Sequence, residues 1–289
     1  AINGCECMNI DLKACFVAWI VLATSSLAWG AASDSQNDEG FSLGIYGNAN
    51  MDDTVDEQDI EYLKGVIAGI NPATNLSDAN YDGKIDSNDV DQTQMIMNAS
   101  ESEITFIDST NRTLTVHMPL ERIIVLNGWT LEVMRSLKLE KERIVGVDQY
   151  VTGDRDWKTF FPEYGDYPNC GSSYTPNYEE ILKCNPDVVF ISTGSSGECD
   201  LIPDKLKELD ADIDVVRFGS TDPLDYAKEA SVLGYILGKQ AEADKFIDYY
   251  NGLIDQIISK IKDIPMDKRP NVFLEYYSPY ASFGGGTGT

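Results

Sequence analysis

The spacing of apolar residues changes along this chain, and each change marks a different kind of element. Ala14 to Leu22 is a nearly unbroken apolar run that continues weakly to Ala32. Residues 33–43 (SDSQNDEGFSL) have little apolar content and read as a linker. Ile60, Leu63, Val66 and Ile67 then fall at helical spacing, and so do Val90, Met95 and Ile96 further on. After the polar stretch Asn98 to Ser102 the period switches to two. Ile104-Thr-Phe106-Ile and Thr113-Leu-Thr-Val-His117 alternate around Asp108-Ser-Thr-Asn111, which predicts a β-hairpin.

From Arg122 onward short apolar runs alternate with helical patterns. Arg122-Ile-Ile-Val-Leu126, Ile144-Val-Gly-Val147, Pro186-Asp-Val-Val-Phe-Ile191 and Asp214-Val-Val-Arg-Phe218 read as strands, the continuous ones as strands buried on both faces. Helical patterns follow Asn127-Gly128-Trp129 (Leu131, Val133, Met134, Leu137) and cover Asn177 to Lys183 and Leu201 to Leu209. This order predicts an α/β lobe with a mostly parallel sheet, Rossmann-like in plan. Pro223 to about Ile264 reads as one long helix, with Gly234, Gly238 and Gly252 as points of bending or breakage. Unbroken, it would span roughly 60 Å and join two lobes. Asn271-Val-Phe-Leu-Glu275 starts a fresh strand, so residues 265–289 are expected to begin a second lobe that is incomplete here.

Ahead of the two early helices lie two acidic loops in one register, residues 48–59 and 78–89. Oxygen-bearing side chains stand at loop positions 1, 3, 5, 9 and 12, with Val55 and Ile85 at position 8. A twelve-residue loop with that spacing can supply the six to eight oxygens that Ca²⁺ takes, position 7 contributing its carbonyl. The expected ligands are Asn48, Asn50, Asp52, Thr54, Asp56 and Asp59 in the first loop. In the second they are Asp78, Asn80, Asp82, Lys84, Asp86 and Asp89, the position 7 residues Thr54 and Lys84 acting through their carbonyls. Asp53 replaces glycine at position 6, where a sharp turn often needs φ > 0, and Asn48 replaces aspartate at position 1, so the first site is expected to be the weaker.

Composition narrows the partners. The formal charge is −26, from 48 acidic and 22 basic residues, which opposes nucleic-acid binding and suits cations or a solvated surface. Residues 1–32 are expected to be a signal peptide: Met8 as its true start, Lys13 ahead of the apolar run, Ala28-Trp29-Gly30 at the cut; retention as an anchor is the alternative. The body of the protein would then be extracytoplasmic. Cys170, Cys184 and Cys199 would remain, an odd number whose pairing is open. With His117 the only histidine, a zinc or haem site built from His and Cys is not expected.

Duplicated calcium loops with Asp59 and Asp89 at position 12, each followed by one helix, resemble the dockerin module over residues 44–100. The resemblance implies a cohesin-bearing partner, docked in part through loop positions 10 and 11: Glu57 and Gln58, Ser87 and Asn88. Residues 104–289 resemble the substrate-binding proteins of ABC importers, in the subgroup whose two lobes are joined by a backbone helix. The blocks Gly171-Ser-Ser-Tyr-Thr-Pro-Asn-Tyr-Glu-Glu and Asn185-Pro-Asp-Val-Val carry that likeness best. It implies a first lobe over 101–222, a backbone helix over 223–264, an ABC permease partner, and membrane association through it or an anchor. The ligand would be a metal chelate: a ferric siderophore, haem or cobalamin. Expected ligand contacts are Asn127, Trp129, Tyr150, Ser172, Ser173, Tyr174, Ser192, Thr193 and Tyr277, and Glu179 would dock the permease. The loops at the strands' carboxyl ends, which carry most of these residues, are where open α/β sheets bind.

Two other readings compete. A dockerin-bearing scaffold or adhesion protein would bind a cohesin with no small molecule. A cohesin-docked secreted enzyme would need a carboxylate pair or a Ser/His/Asp set, and neither stands out; no catalytic residue is expected.

Overall fold

The computed structural model describes residues 41–153, 159–193, 197–209, 211, 213–219 and 225–270. The expected signal peptide, the opening strand of a second lobe and Tyr277 lie outside the described residues.

The centre is a four-stranded parallel sheet of β3 (Ile123–Val125), β4 (Ile144–Val147), β7 (Val188–Ile191) and β8 (Asp214–Arg217), in the order β4-β3-β7-β8. Two smaller ladders stand outside it. β1 (Glu103–Ile107) and β2 (Thr113–His117) form the expected antiparallel hairpin, and β5 (Gly171–Ser172) pairs β6 (Thr175–Pro176). Helices α3 (Gly128–Ser136), α4 (Gln149–Gly153), α5 (Tyr178–Cys184) and α6 (Gly197–Glu208) lie between the strands in sequence.

Side chains alternate across a strand, and the two faces of this sheet bury different cores. Ile123, Val125, Val188, Phe190 and Val216 join one cluster, while Ile124, Leu126, Val189, Ile191 and Val215 join the other. Continuous apolar runs were needed because neither face meets water. Cys170, Cys184 and Cys199 are all buried in the second cluster and form no disulfide among the described residues. Burial pushes the Cys170 and Cys184 thiols up, so they behave as small apolar residues.

The early helices are α1 (Glu57–Ile67) and α2 (Ser87–Met97), each opened by a capping box, Asp56 with Asp59 and Asp86 with Asp89. Their module is packed into the lobe. Ile45 bridges Phe106 of β1, extending the hairpin by an antiparallel contact. Leu43, Ile45, Val55 and Ile96 share one core cluster with Phe106, Phe218 and Tyr235. The polar stretch at 98–102 is therefore no break in packing.

The long helix of the sequence reading is two helices, α7 (Tyr226–Leu237) and α8 (Gln240–Ile261). Gly238 takes φ +66 and ψ 39 between them, the left-handed conformation that ends a helix and that glycine adopts without a Cβ penalty. Gly234 lets α8 approach α7: a Cβ there would stand 2.6 Å from that of Ala243. α7 is buried almost throughout, whereas Tyr249, Leu253, Ile257 and Ile261 of α8 are exposed.

Candidate functional site

An open pocket of about 170 Å³ lies at the carboxyl ends of the central strands. The chain leaves β3 at Leu126-Asn127 into α3, leaves β4 at Asp148 into α4, and leaves β7 at Ser192; the β5–β6 turn, Ser173-Tyr174, completes the wall. Trp129, Tyr150 and Tyr174 rim it and are 54%, 53% and 49% exposed, high values for large rings on a folded lobe. Seven of the nine expected contacts thus converge on one pocket: Asn127, Trp129, Tyr150, Ser172, Ser173, Tyr174 and Ser192.

They divide by what their polar atoms already do. Asn127 caps α3 by accepting from the Trp129 N–H at 3.0 Å, and its amide donates to the Phe218 carbonyl and the Thr130 hydroxyl. Ser173 donates to the Leu126 carbonyl at 2.7 Å and accepts from the Ser192 N–H. Ser172 accepts from the N–H groups of Tyr174 and Thr175. These three shape the loops; the aromatic rings present the surface. Thr193 lies elsewhere, on a larger cavity of about 430 Å³ between the acidic-loop module and the lobe, where its hydroxyl donates to the Gly219 carbonyl.

The floor holds a residue absent from the sequence reading, Asp148. It is 5% exposed and accepts the Tyr150 N–H at 2.7 Å through Oδ1. Burial pushes its pKa up to about 7 against the partial relief of that hydrogen bond. The available signal was an acid directly after a buried strand, Ile144-Val-Gly-Val147-Asp148.

The acidic loops share a hydrogen-bond scheme. The position 12 carboxylate accepts the N–H of positions 3 and 9: Asp59 from Asn50 and Asp56, Asp89 from Asn80 and Asp86. The position 3 side chain accepts the N–H of position 5, which in turn accepts that of position 7, in both loops. Both position 12 groups are buried, and burial raises both, Asp59 to about 6. Position 9 caps the following helix: Asp56 accepts from the Gln58 N–H and Asp86 from that of Asn88.

The loops differ where the sequence did. Position 4 has positive φ in both, Met51 at 63 and Tyr81 at 57, and Gly83 at position 6 adds φ 86. Asp53 does not follow Gly83 into that region. Asp78 accepts the N–H groups of Asp82 and Gly83, whereas Asn48 turns its amide nitrogen to the carbonyls of Leu43 and Asp52. Asn48 Oδ1 is left buried without a hydrogen-bond partner. Glu57, Gln58, Ser87 and Asn88 are exposed on the first turns of α1 and α2. Glu179 is exposed on α5 and pairs with Lys183 at 3.0 Å.

A parallel α/β lobe with its pocket at the strand ends has the architecture of a solute-binding lobe, and the sequence comparison agrees. The family described as Periplasmic binding protein matches residues 123–289, and this chain belongs to it. An uncharacterized lipoprotein of Methanocaldococcus jannaschii is 24% identical over 157 residues, covering 52% of this chain and 37% of that protein. Among solved structures, the TroA-like periplasmic binding protein FepB from Veillonella parvula is similar at 22% identity and TM-score 0.46, over 55% of this chain and 50% of that one. Staphylococcus aureus SirA complexed with staphyloferrin B gives 20% identity and TM-score 0.43, over 55% and 52%. The chain thus spans little more than a third of the archaeal relative and about half of each structure.

Proposed function

We propose that this chain is the extracytoplasmic solute-binding component of an ABC importer and that it captures a metal chelate (ferric siderophore, haem or cobalamin) in the aromatic-rimmed pocket. The observation that carries this is the convergence of Trp129, Tyr150 and Tyr174 at the strand ends of a chain in the periplasmic binding protein family. Large rigid rings around a concave site suit a broad, partly apolar ligand. Family membership also favours a binding protein over an enzyme. Glu179, exposed near the start of α5, is the lobe's candidate contact for a permease.

We further propose that the acidic loops hold Ca²⁺. In the second loop Asp78, Asn80, Asp82, the Lys84 carbonyl and Asp89 would coordinate it, with Asp86 acting through water. In the first, Asn48, Asn50, Asp52, the Thr54 carbonyl and Asp59 would do so, with Asp56 in the place of Asp86. The donor set fits a hard cation: it is all oxygen, and the buried Asn48 Oδ1 has no other partner. Calcium would supply the positive charge that clustered carboxylates require. The exposed pairs Glu57-Gln58 and Ser87-Asn88 would then face a cohesin-like partner.

Calorimetric titration of the full-length protein tests both parts. Saturable uptake of calcium in the micromolar range or tighter, and of one of the three chelates, is expected. Calcium uptake with no chelate binding would favour the docking-scaffold reading; chelate binding with no calcium uptake would remove the dockerin-like one.

A further inference from the structure

We infer that Asp148 selects the ligand by charge: the pocket takes a chelate carrying a positively charged group, seated on the Asp148 carboxylate and enclosed by the rings of Trp129, Tyr150 and Tyr174. This deepens the solute-binding reading and rests on it.

The first argument is the carboxylate's position. Asp148 lines the pocket while only 5% exposed, and Oδ1 is held by the Tyr150 N–H. Oδ2 accepts no hydrogen bond among the described residues. Among the described residues, no lysine, arginine or histidine lines the pocket with it, and Asp148 is the one charged lining residue. Ionising a carboxylate this far from water is costly without a cation or a donor on its second oxygen, and a cationic group on the ligand would supply one.

The second argument is what surrounds it. Three exposed rings stand over the same pocket, and an aromatic face attracts a cation through its quadrupole. Rings alone would accept any flat apolar group; a carboxylate beneath them repels anions and rewards cations. Burial raises the Asp148 pKa to about 7, and a bound cation would favour its ionised form. The rest of the chain acts in the same direction, since a net charge of −26 repels polyanionic chelates before they reach the pocket.

The test uses ferrioxamine B, which keeps a free ammonium outside its iron shell, and its N-acetylated form, which has the same iron coordination without that charge. Ferric citrate serves as the anionic chelate and tetramethylammonium as a metal-free cation. Each is titrated into the full-length protein and into Asp148→Asn, which keeps the acceptor for the Tyr150 N–H. The wild type is expected to prefer ferrioxamine B to its acetylated form by about tenfold, and Asp148→Asn to bring the two together. Equal affinities in the wild type, a preference that survives Asp148→Asn, or tighter binding of ferric citrate would each overturn the inference. Should no chelate bind while tetramethylammonium binds the wild type and not Asp148→Asn, the charge selection stands and the chelate reading falls. If no probe binds, both fall.

Discussion

Asp148 is the residue where stability and binding pull apart. Its pKa is raised, so the folded state holds the proton more tightly than the unfolded chain does. That contribution is complete below the ordinary carboxylate range and is lost as pH rises toward about 7. Asp148→Asn should therefore raise the melting temperature relative to wild type more at about pH 8 than at about pH 4, read by parallel thermal melts. Its neighbours in the pocket separate cleanly. Trp129 is half exposed, so Trp129→Ala should leave the melting temperature nearly unchanged while weakening ligand binding by about tenfold or more. Asn127→Ala should do the reverse. It removes a helix cap and two further buried hydrogen bonds, and a loss of about 2 kcal/mol is expected in denaturant unfolding.

The separation of α7 from α8 shows how one backbone angle reorganises a periodic pattern. Apolar spacing continues through Gly238 with no register cue, and only its positive φ turns the chain back so that α8 packs along α7. Gly238→Ala meets no neighbouring atom, so its cost is backbone strain alone: about 1 kcal/mol, with no change in helical circular dichroism. Gly234→Ala carries no such backbone strain but should cost more, because its Cβ would press on that of Ala243. The paired loops teach a related lesson. The same spacing of oxygens yields the same hydrogen-bond scheme at positions 3, 5 and 12, yet position 1 differs once Asn48 brings a donor in place of a second acceptor.

Among the described residues, the acidic-loop module and the α/β lobe form one packed body. Tyr235 of α7 reaches the first loop, accepting the Val55 N–H at 2.9 Å and lying 3.3 Å from the Thr54 hydroxyl. Val55 belongs to the core that contains Phe106 and Phe218. Calcium at the first loop should therefore stabilise the lobe too. Thermal unfolding with excess calcium is expected to show one transition across both parts, which a chelator such as EDTA shifts downward as a unit. A melt in which the module alone responds would refute this coupling. Tyr235→Phe leaves the Val55 N–H unpaired in the core and should lower stability by about 1–3 kcal/mol.

The hairpin, the central strands and the first helical turns were all legible in the chain because period two, period 3.6 and capping residues are local signals. The aromatic positions of the pocket were legible for a similar reason, since a loop after a buried strand faces one end of the sheet. Asp148, Tyr235 and the shared core were not. Each matters through partners distant in sequence, and an acid or a tyrosine looks the same in a string whether its tip meets water or a neighbouring element. Spacing along the chain settled which residues form each element; burial and contact, which exist only after folding, settled that Asn127 and Ser173 serve the loops while Asp148 lines the pocket.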